Sequence, residues 1–453
     1  MLKNIKLKIN SFFTQGHSRT LLAKKNIAAS LLIKGCSIAV SLALVPLTIH
    51  YVNPTRYGIW LTLSSIIAWF GFFDIGFGNG LRNKFAEALA SGQKELARTY
   101  VSTTYGILSI VITGVLLLFI SINPFLHWAK ILNTSPEMSQ ELTIVALIVF
   151  SFFCIQFVLQ LITTVIIADQ KPALASFFGL LGSIISLLII FILTKTTQGS
   201  LLYLAIAFGS SPAIVLLASS IWFYSKQYKA YAPTFRLIKF KFAKPLMGLG
   251  LKFFIIQGSA VFIFETTNIV ITQILGPENV TVYNIAFKYF SIATMLCNIV
   301  ASPLWSAYTE AYVKGDFAWM KSIINRVNQF WLVIIGFVIV LLASSKYVYI
   351  LWIGHSVDVS WKISIIMALN VIAVARFNLF IIIINGIGKI KLQLIINVIL
   401  SFIFIPMSVF LCRLYGVAGV IGANFIINSI YAVIAPVQTQ KLLNKTANGL
   451  WNQ

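Results

Sequence analysis

Six ionisable side chains lie within long apolar stretches of this 453-residue sequence. A charge in such a stretch is costly unless it faces water, a partner or a ligand. Four are basic and two are acidic: Lys34, Asp74, Lys252, Glu265, Lys288 and Arg376. Lys and Arg form strong charge-assisted hydrogen bonds with phosphate oxygens, so the basic majority predicts a cavity for an anionic ligand. Asp74 and Glu265 are the candidates for gating or for coupling to a cation, because protonation of an acid changes with its surroundings.

The depth of each charge along its apolar stretch separates these candidates. Lys34 lies roughly 10 Å into the first stretch, and Lys252 is shallower. Lys288 lies deeper, eight residues into the eighth stretch, and Arg376 lies near the middle of the tenth, too deep to reach the surface easily. Pairing within the protein, for example between Glu265 and Lys288, is the alternative to a role in ligand binding.

The stretch 72–84, FFDIGFGNGLRNK, places three glycines at alternate positions after an apolar run. A dinucleotide-binding loop needs a different spacing and a preceding strand, so we predict a bend at a cavity mouth instead. Asp74 and Arg82 would lie at that mouth, and a helix cap is the alternative for Asp74. A short interfacial helix is predicted from Leu81, with four apolar side chains toward the bilayer: Leu81, Phe85, Ala88 and Leu89.

No cofactor, metal site or catalytic centre is predicted. The four cysteines lack CxxC spacing, and the four histidines are scattered among different ends and loops. No phosphate-binding loop of the Walker type is present in the sequence. We therefore expect a protein that is not an enzyme.

The composition indicates what must position these residues. The chain is 59% hydrophobic and 10% charged, with a mean hydropathy of +0.91. Apolar runs of about twenty residues recur, which is the length of a membrane-spanning helix. The sequence predicts an all-α polytopic membrane protein with twelve spans: 27–49, 58–74, 100–122, 142–166, 173–194, 200–224, 246–275, 280–302, 327–344, 361–385, 391–411 and 416–437.

The distribution of Lys and Arg predicts the orientation. Most of the 34 basic residues fall on the face that carries both termini, chiefly in 1–25, 82–98 and 226–244. Basic residues are retained on the cytoplasmic side, so both termini are predicted to be cytoplasmic. The net charge of +23 is then a topology signal and a means of binding the anionic bilayer, and no nucleic-acid partner is expected.

The chain also contains an internal repeat. A shift of 223 residues places Pro54 on Pro277 and the segment AEALASG on TEAYVKG. Two six-helix bundles related by a parallel repeat are predicted, an arrangement of secondary transporters whose substrate site lies between the halves. The predicted divisions are a basic segment 1–26, bundles 27–225 and 245–437, a basic linker 226–244 and a tail 438–453.

The segment YVNPTRYGIWLTLSSIIAWFGFFDIGFGNGLRNKFAEALASG resembles Wzx-type polysaccharide flippases of the multidrug/oligosaccharidyl-lipid/polysaccharide (MOP) exporter superfamily, as does ILGPENVTVYNIAFKYF. The resemblance implies a bacterial inner-membrane protein that moves undecaprenyl-pyrophosphate-linked oligosaccharide to the periplasmic leaflet by alternating access, for O-antigen or capsule synthesis. It also implies a proton or sodium ion for coupling, and a polymerase and chain-length regulator as partners. Lys34, Lys288 and Arg376 fit its cationic cavity. Where the family often has an acid in the seventh span, this chain has Thr267 and Asn268, with Glu265 nearby.

Two other functions remain open from the sequence. A multidrug or organic-cation antiporter of the same superfamily would favour acidic and aromatic cavity walls, which the basic majority opposes. A membrane polysaccharide polymerase would need catalytic residues gathered on a sizeable loop, and the predicted outer loops are short.

Overall fold

A computed structural model of the chain shows an all-α protein, with no strand among the residues it describes. The described residues are 18–74, 76–301, 304, 308, 311–312 and 314–452. Side chains before residue 31, and most of those between 245 and 264, are outside this description. The predicted all-α polytopic class is confirmed.

The helices are numbered here in chain order. Helices α1 to α15 are Ser18–Val52, Pro54–Ala68, Phe77–Ala90, Lys94–Ile122, Trp128–Ile131, Ser139–Leu159, Leu161–Ala168, Pro172–Thr196, Leu201–Ser225, Ala243–Leu275, Pro277–Ala301, Phe317–Ile353, Trp361–Ile387, Lys391–Tyr415 and Val417–Leu443. Ten helical segments of the described chain are long and apolar enough to cross a bilayer. The short ninth predicted span, 327–344, is the middle of the 37-residue helix α12.

The second predicted span, 58–74, is built from two kinds of helix. Helix α2 has 15 residues and passes into a 3-10 helix of six residues, Trp69–Asp74. At about 1.5 Å per α-helical residue and about 2.0 Å per 3-10 residue, the two have a contour of roughly 34 Å. That length is sufficient for the hydrocarbon core of about 30 Å.

The described chain forms two compact units, each made of several segments. Unit 1 comprises the described parts of Met1–Tyr51, Gly71–Leu126 and Glu141–Phe254. Unit 2 comprises those of Val52–Phe70, His127–Gln140 and Ile255–Gln453. Helices α11 to α15 lie entirely within unit 2.

The two halves of the repeat share local backbone geometry at the predicted offset. Gly92 and Gly315 have φ angles of 70° and 72°, a conformation that glycine adopts without strain. The hydrogen bonds around them also match. The amide of Gln93 donates to Ala88 O at 2.9 Å, and that of Asp316 donates to Ala311 O at 2.9 Å. A helix therefore ends and the next one begins in the same way in both halves.

The equivalent prolines, Pro54 and Pro277, begin α2 and α11, a position where the missing N–H is harmless. These two helices pack against each other at their first turns. A Cβ at Gly58 would lie 1.7 Å from the carbonyl oxygen of Pro277, so glycine is required there. In return, Thr281 Oγ1 donates to Pro54 O at 2.7 Å. Gly58 and Thr281 are themselves 223 residues apart, so the contact is reciprocal between repeat positions.

The basic linker 226–244 is bound along α4 of unit 1. Arg98 Nε donates to Ala232 O at 2.9 Å, and the amide of Thr234 donates to Ser102 Oγ at 3.1 Å. These bonds satisfy backbone groups that have no helix or sheet to pair with. The linker is consequently an ordered part of unit 1.

Tyr228 anchors the start of the linker. Its hydroxyl donates to Asp169 Oδ2 at 2.7 Å, and Lys171 Nζ approaches the same oxygen at 2.5 Å. Burial, followed by the hydrogen bond to Asp169, raises the pKa of Tyr228 above its ordinary value. The tyrosine therefore stays protonated and keeps donating to Asp169.

Helix α3 corrects one prediction about the glycine-rich stretch. It begins at Phe77, four residues before the predicted start at Leu81. Leu81, Phe85 and Ala88 were predicted to face the bilayer, but their exposed fractions are 0%, 0% and 2%. The Phe85 ring meets the edge of Tyr231 in the linker at 5.2 Å between centroids. This apolar stripe packs inside unit 1 because α4, α7 and the linker cover it.

Candidate functional site

A cavity of about 430 Å³ lies among helices α10, α11, α13, α14 and α15 of unit 2. Six primary amides line it, and we call it the amide cavity: Asn370, Asn378, Gln393, Asn397, Asn424 and Asn428. None of the described residues that line it is charged. Polar groups inside a membrane-spanning bundle are rare and mark substrate pathways. The cavity is therefore the candidate functional site of this unit.

Helical spacing brings the amides to one place. Asn424, Asn428 and Tyr431 are four and then three residues apart on α15, so they share one face of the helix. Gln393 and Asn397 are four residues apart on α14. Sequence reasoning missed this set because it considered only ionisable side chains. The sequence nevertheless shows asparagine and glutamine residues at helical spacing within apolar stretches, and this pattern could have identified the set.

Some of the amides bond to one another across the cavity wall. Asn428 Nδ2 donates to Asn370 Oδ1 at 2.9 Å, which links α15 to α13. The Tyr431 hydroxyl donates to Asn397 Oδ1. In contrast, Gln393 Oε1 is buried with no hydrogen-bond partner among the described residues. A buried acceptor without a donor is unfavourable by about 1–3 kcal/mol, so it favours a ligand that carries a donor.

Aromatic rings complete the lining. Phe377 and Tyr431 lie 4.8 Å apart between ring centroids, and Tyr283 stacks on Phe287 at 6.0 Å. Amide groups supply both donors and acceptors, and the ring faces supply flat apolar contacts. The arrangement suits a neutral, polyhydroxylated molecule.

Glu265 belongs to a polar network that borders this cavity. Ser65 lies within hydrogen-bonding reach of its carboxylate. Asn268 Nδ2 donates to Ser65 Oγ at 2.8 Å, and Asn284 Nδ2 donates to Asn268 Oδ1 at 3.0 Å. Glu265 forms no ion pair with Lys288, so the alternative pairing predicted for these two described side chains is wrong. Its polar neighbours among the described residues are neutral.

Thr267 is the sequence neighbour of Asn268 and lies at the edge of the amide cavity. Its hydroxyl oxygen accepts from Asn424 Nδ2 at 3.3 Å and lies within hydrogen-bonding reach of Tyr283. Both Asn424 and Tyr283 line the cavity. Thr267, two residues from Glu265, therefore contacts the cavity wall.

Arg376 lines a separate cavity of about 280 Å³ formed by α12, α13 and α15, which we call the guanidinium cavity. At about 100° per helical residue, Arg376 and Phe380 lie on one face of α13, whereas Val374 and Asn378 of the amide cavity lie on the opposite face. The structure thus separates Arg376 from the larger cavity. Lys288 lines neither cavity and makes no ion pair with a described residue.

No family model matches the chain. It is 23% identical over 329 residues to the Salmonella typhi protein named "Putative O-antigen transporter", and the match covers 72% of each chain. It is 21% identical over 372 residues to the Yersinia pseudotuberculosis protein named "Putative O-antigen export protein", covering 78% of this chain and 81% of that protein.

Among solved structures, the chain is similar to a multidrug resistance MATE family transporter of the MOP superfamily in its inward-facing conformation. The TM-score is 0.76 at 15% identity, and the match covers 93% of this chain and 100% of the other. The chain shares the fold of that transporter. The resemblance inferred from the sequence is confirmed by this fold and by the names of the curated relatives.

The remaining predicted residues lie on different helices of this fold. Asp74 accepts from the amide of Gly78 with Oδ1 at 2.9 Å and Oδ2 at 3.2 Å, which is the geometry of a helix cap at the start of α3. Lys34 on α1 and Arg82 on α3 are exposed. Lys252 lies in α10, but its side chain is outside the described residues. Roles for these residues in transport stay predictions.

Proposed function

We propose that the protein is a flippase for undecaprenyl-pyrophosphate-linked oligosaccharide. It would move the glycan from the cytoplasmic to the periplasmic leaflet of the bacterial inner membrane by alternating access, for O-antigen or capsule synthesis. Both termini would be cytoplasmic, as the distribution of basic residues predicts. The names of the curated relatives support transport rather than catalysis and point to a glycan cargo.

The amide cavity is the observation that carries this proposal. A sugar crossing hydrocarbon unaided would lose many hydrogen bonds with water, and the loss of each bond is unfavourable by several kcal/mol. Amides can replace those bonds, and the Asn428–Asn370 pair can open to bond a sugar hydroxyl instead. The rings of Phe377 and Tyr431 offer flat apolar contacts to a pyranose face. The lipid tail would remain in the bilayer.

The proposed coupling residue is Glu265, with a proton or sodium ion as the coupling ion. Its carboxylate lies near Ser65, and Thr267, two residues further along the chain, accepts from Asn424 of the cavity wall. We expect Glu265→Gln to remove the dependence of translocation on an imposed ion gradient. Unchanged dependence on the gradient in this variant would contradict the assignment.

The proposed function is tested with purified protein in vesicles that contain a polyprenyl-pyrophosphate-linked oligosaccharide. Translocation is the fraction of glycan that becomes accessible to an added lectin. We expect Asn428→Leu to slow it about tenfold, because the variant leaves Asn370 and the sugar without a donor at a cost of about 1–3 kcal/mol. The control is Val433→Leu, a 64% exposed position on the same helix, which should match the wild type.

An organic-cation antiporter is the rival, since the similar solved structure is a multidrug transporter. The described lining of the amide cavity provides no carboxylate for a cationic cargo. Efflux of a fluorescent cation from the same vesicles distinguishes the two. Cation efflux without oligosaccharide translocation by the wild type would overturn the flippase proposal.

A further inference from the structure

Arg376 is a membrane-embedded cation that is held without an acidic partner among the described residues. Its Nε donates to the carbonyl oxygen of Ala432 at 3.2 Å. The guanidinium carbon lies 4.4 Å from the Trp331 ring centroid and 5.7 Å from that of Phe380. Aromatic faces attract a cation but do not neutralise it. The position therefore retains a positive charge about 16 Å from the C-terminal end of α13.

A break in the hydrogen bonding of α15 explains how the guanidinium is oriented. Pro436 lies inside α15 and has no N–H, so the carbonyl four residues earlier, at Ala432, lacks its helical donor. Arg376 Nε supplies that donor. On the other side, Trp331 Nε1 donates to Ile372 O at 3.1 Å, which fixes the indole under the guanidinium. No described residue forms a hydrogen bond with the terminal guanidinium nitrogens, so they can bind a ligand in a fixed orientation.

The cavity next to Arg376 has the composition of an anion site. Lys321 supplies a second cation, and Asn325, Asn328 and Gln440 supply amides. No acidic side chain is among the described residues that line it. Planar guanidinium groups bind phosphate oxygens in a bidentate manner, and a lysine adds a mobile point charge.

Asn328 indicates that the ligand also donates a hydrogen bond. Its Oδ1 is buried and has no partner among the described residues, although the side chain lines the cavity. A fully ionised phosphate cannot satisfy an acceptor. A partly protonated phosphate or a phosphate that carries a hydroxyl group can.

We propose that the guanidinium cavity binds a phosphate-group anion, either the head group of a lipid or a free pyrophosphate. The site lies on the opposite face of α13 from the amide cavity. A polyprenyl pyrophosphate ligand would rest on the proposed function, whereas a free anion or a bilayer lipid would go beyond it. Lys441, which directly follows the lining residue Gln440, adds positive charge at the same end of α15.

The test measures binding to the purified full-length chain with three probes: inorganic pyrophosphate, farnesyl pyrophosphate and phosphatidylglycerol. We expect at least one probe to bind the wild type, and Arg376→Gln to weaken that binding at least tenfold. The matched control is Lys362→Gln, an exposed lysine on the same helix outside the cavity. Lys321→Gln, a change at an exposed position that folding should tolerate, is the second variant and should weaken binding severalfold.

The pattern across the probes identifies the source of the phosphate. Binding of pyrophosphate alone assigns a free anion, binding of farnesyl pyrophosphate assigns a polyprenyl head group, and binding of phosphatidylglycerol alone assigns a bilayer lipid. Two results would overturn the proposal: no probe binds the wild type, or Arg376→Gln and Lys321→Gln bind as tightly as Lys362→Gln. Because the readout is binding, it is independent of oligosaccharide translocation.

Discussion

The amide cavity and the guanidinium cavity lie on opposite faces of helix α13 and hold polar groups in a membrane protein by different means. On one face, Asn370 is satisfied by a neutral neighbour, Asn428, through a bond that a ligand can replace. On the other face, Arg376 is fixed by a carbonyl that Pro436 leaves free and by the faces of Trp331 and Phe380. An amide pair can exchange partners at little cost, whereas an unpaired charge must be oriented in advance.

This difference predicts that a new lysine on α15 will impair the amide cavity and improve anion binding in the guanidinium cavity. Asn428→Lys places a cation in the neutral cavity, where an unpaired charge is unfavourable by several kcal/mol, so we expect oligosaccharide translocation to fall more than about a hundredfold. Gln440→Lys adds a cation to the guanidinium cavity at an exposed position and should strengthen pyrophosphate binding severalfold. The measurements are the lectin-accessibility assay and pyrophosphate titration of both variants.

The comparison fails if the two lysine variants behave alike. Normal translocation by Asn428→Lys would mean that the amide cavity does not hold the cargo. Weaker pyrophosphate binding by Gln440→Lys would mean that the second cavity does not select anions. The monomeric elution profile of each variant in detergent serves as the folding control.

Pro436→Ala is expected to have a smaller effect, confined to the guanidinium cavity. The new N–H at position 436 would compete with Arg376 Nε for the carbonyl of Ala432. Loss of one such bond is worth about 0.5–1.5 kcal/mol, so pyrophosphate affinity should fall about fivefold while translocation changes less. Pro406→Ala is the control, since Pro406 likewise lies inside a helix, α14, and lines neither cavity. Equal losses of affinity in the two variants would show that Pro436 does not orient Arg376 by freeing the Ala432 carbonyl.

The sequence predicted the helices and their boundaries better than it predicted the site. Pro54, Pro277, Gly92 and Gly315 act locally through φ and the missing N–H, so their effects were readable from position alone. The direction in which Arg376 points depends on where α12 and α15 pack around α13, which no periodicity within α13 contains. Arg376 was therefore assigned to one cationic cavity with Lys288, and the structure separates it from the larger cavity.

Asp74 and the amides illustrate two further limits. The sequence left a cap and a cavity mouth open for Asp74, because the choice depends on the position of the Gly78 amide relative to the carboxylate. The amides were missed for a different reason. Each one is unremarkable in a helix, and only the convergence of α13, α14 and α15 turns them into one surface.

The smallest effect is expected from Trp331→Leu, which removes one aromatic face from Arg376 while leaving the charge in place. A cation–π contact at a site open to water is worth about 0.5–1 kcal/mol, so pyrophosphate affinity should fall about threefold. The amide cavity should be unaffected, because Trp331 contacts the other face of α13 through Ile372. Trp361→Leu, at a 51% exposed position at the start of α13, controls for the loss of a tryptophan. A wild-type affinity for Trp331→Leu, with reduced affinity for Arg376→Gln, would show that the charge alone binds the anion. The Trp331 ring would then only pack against the Arg376 side chain. The hydrogen bond from Arg376 Nε to Ala432 O would be the contact that orients the guanidinium.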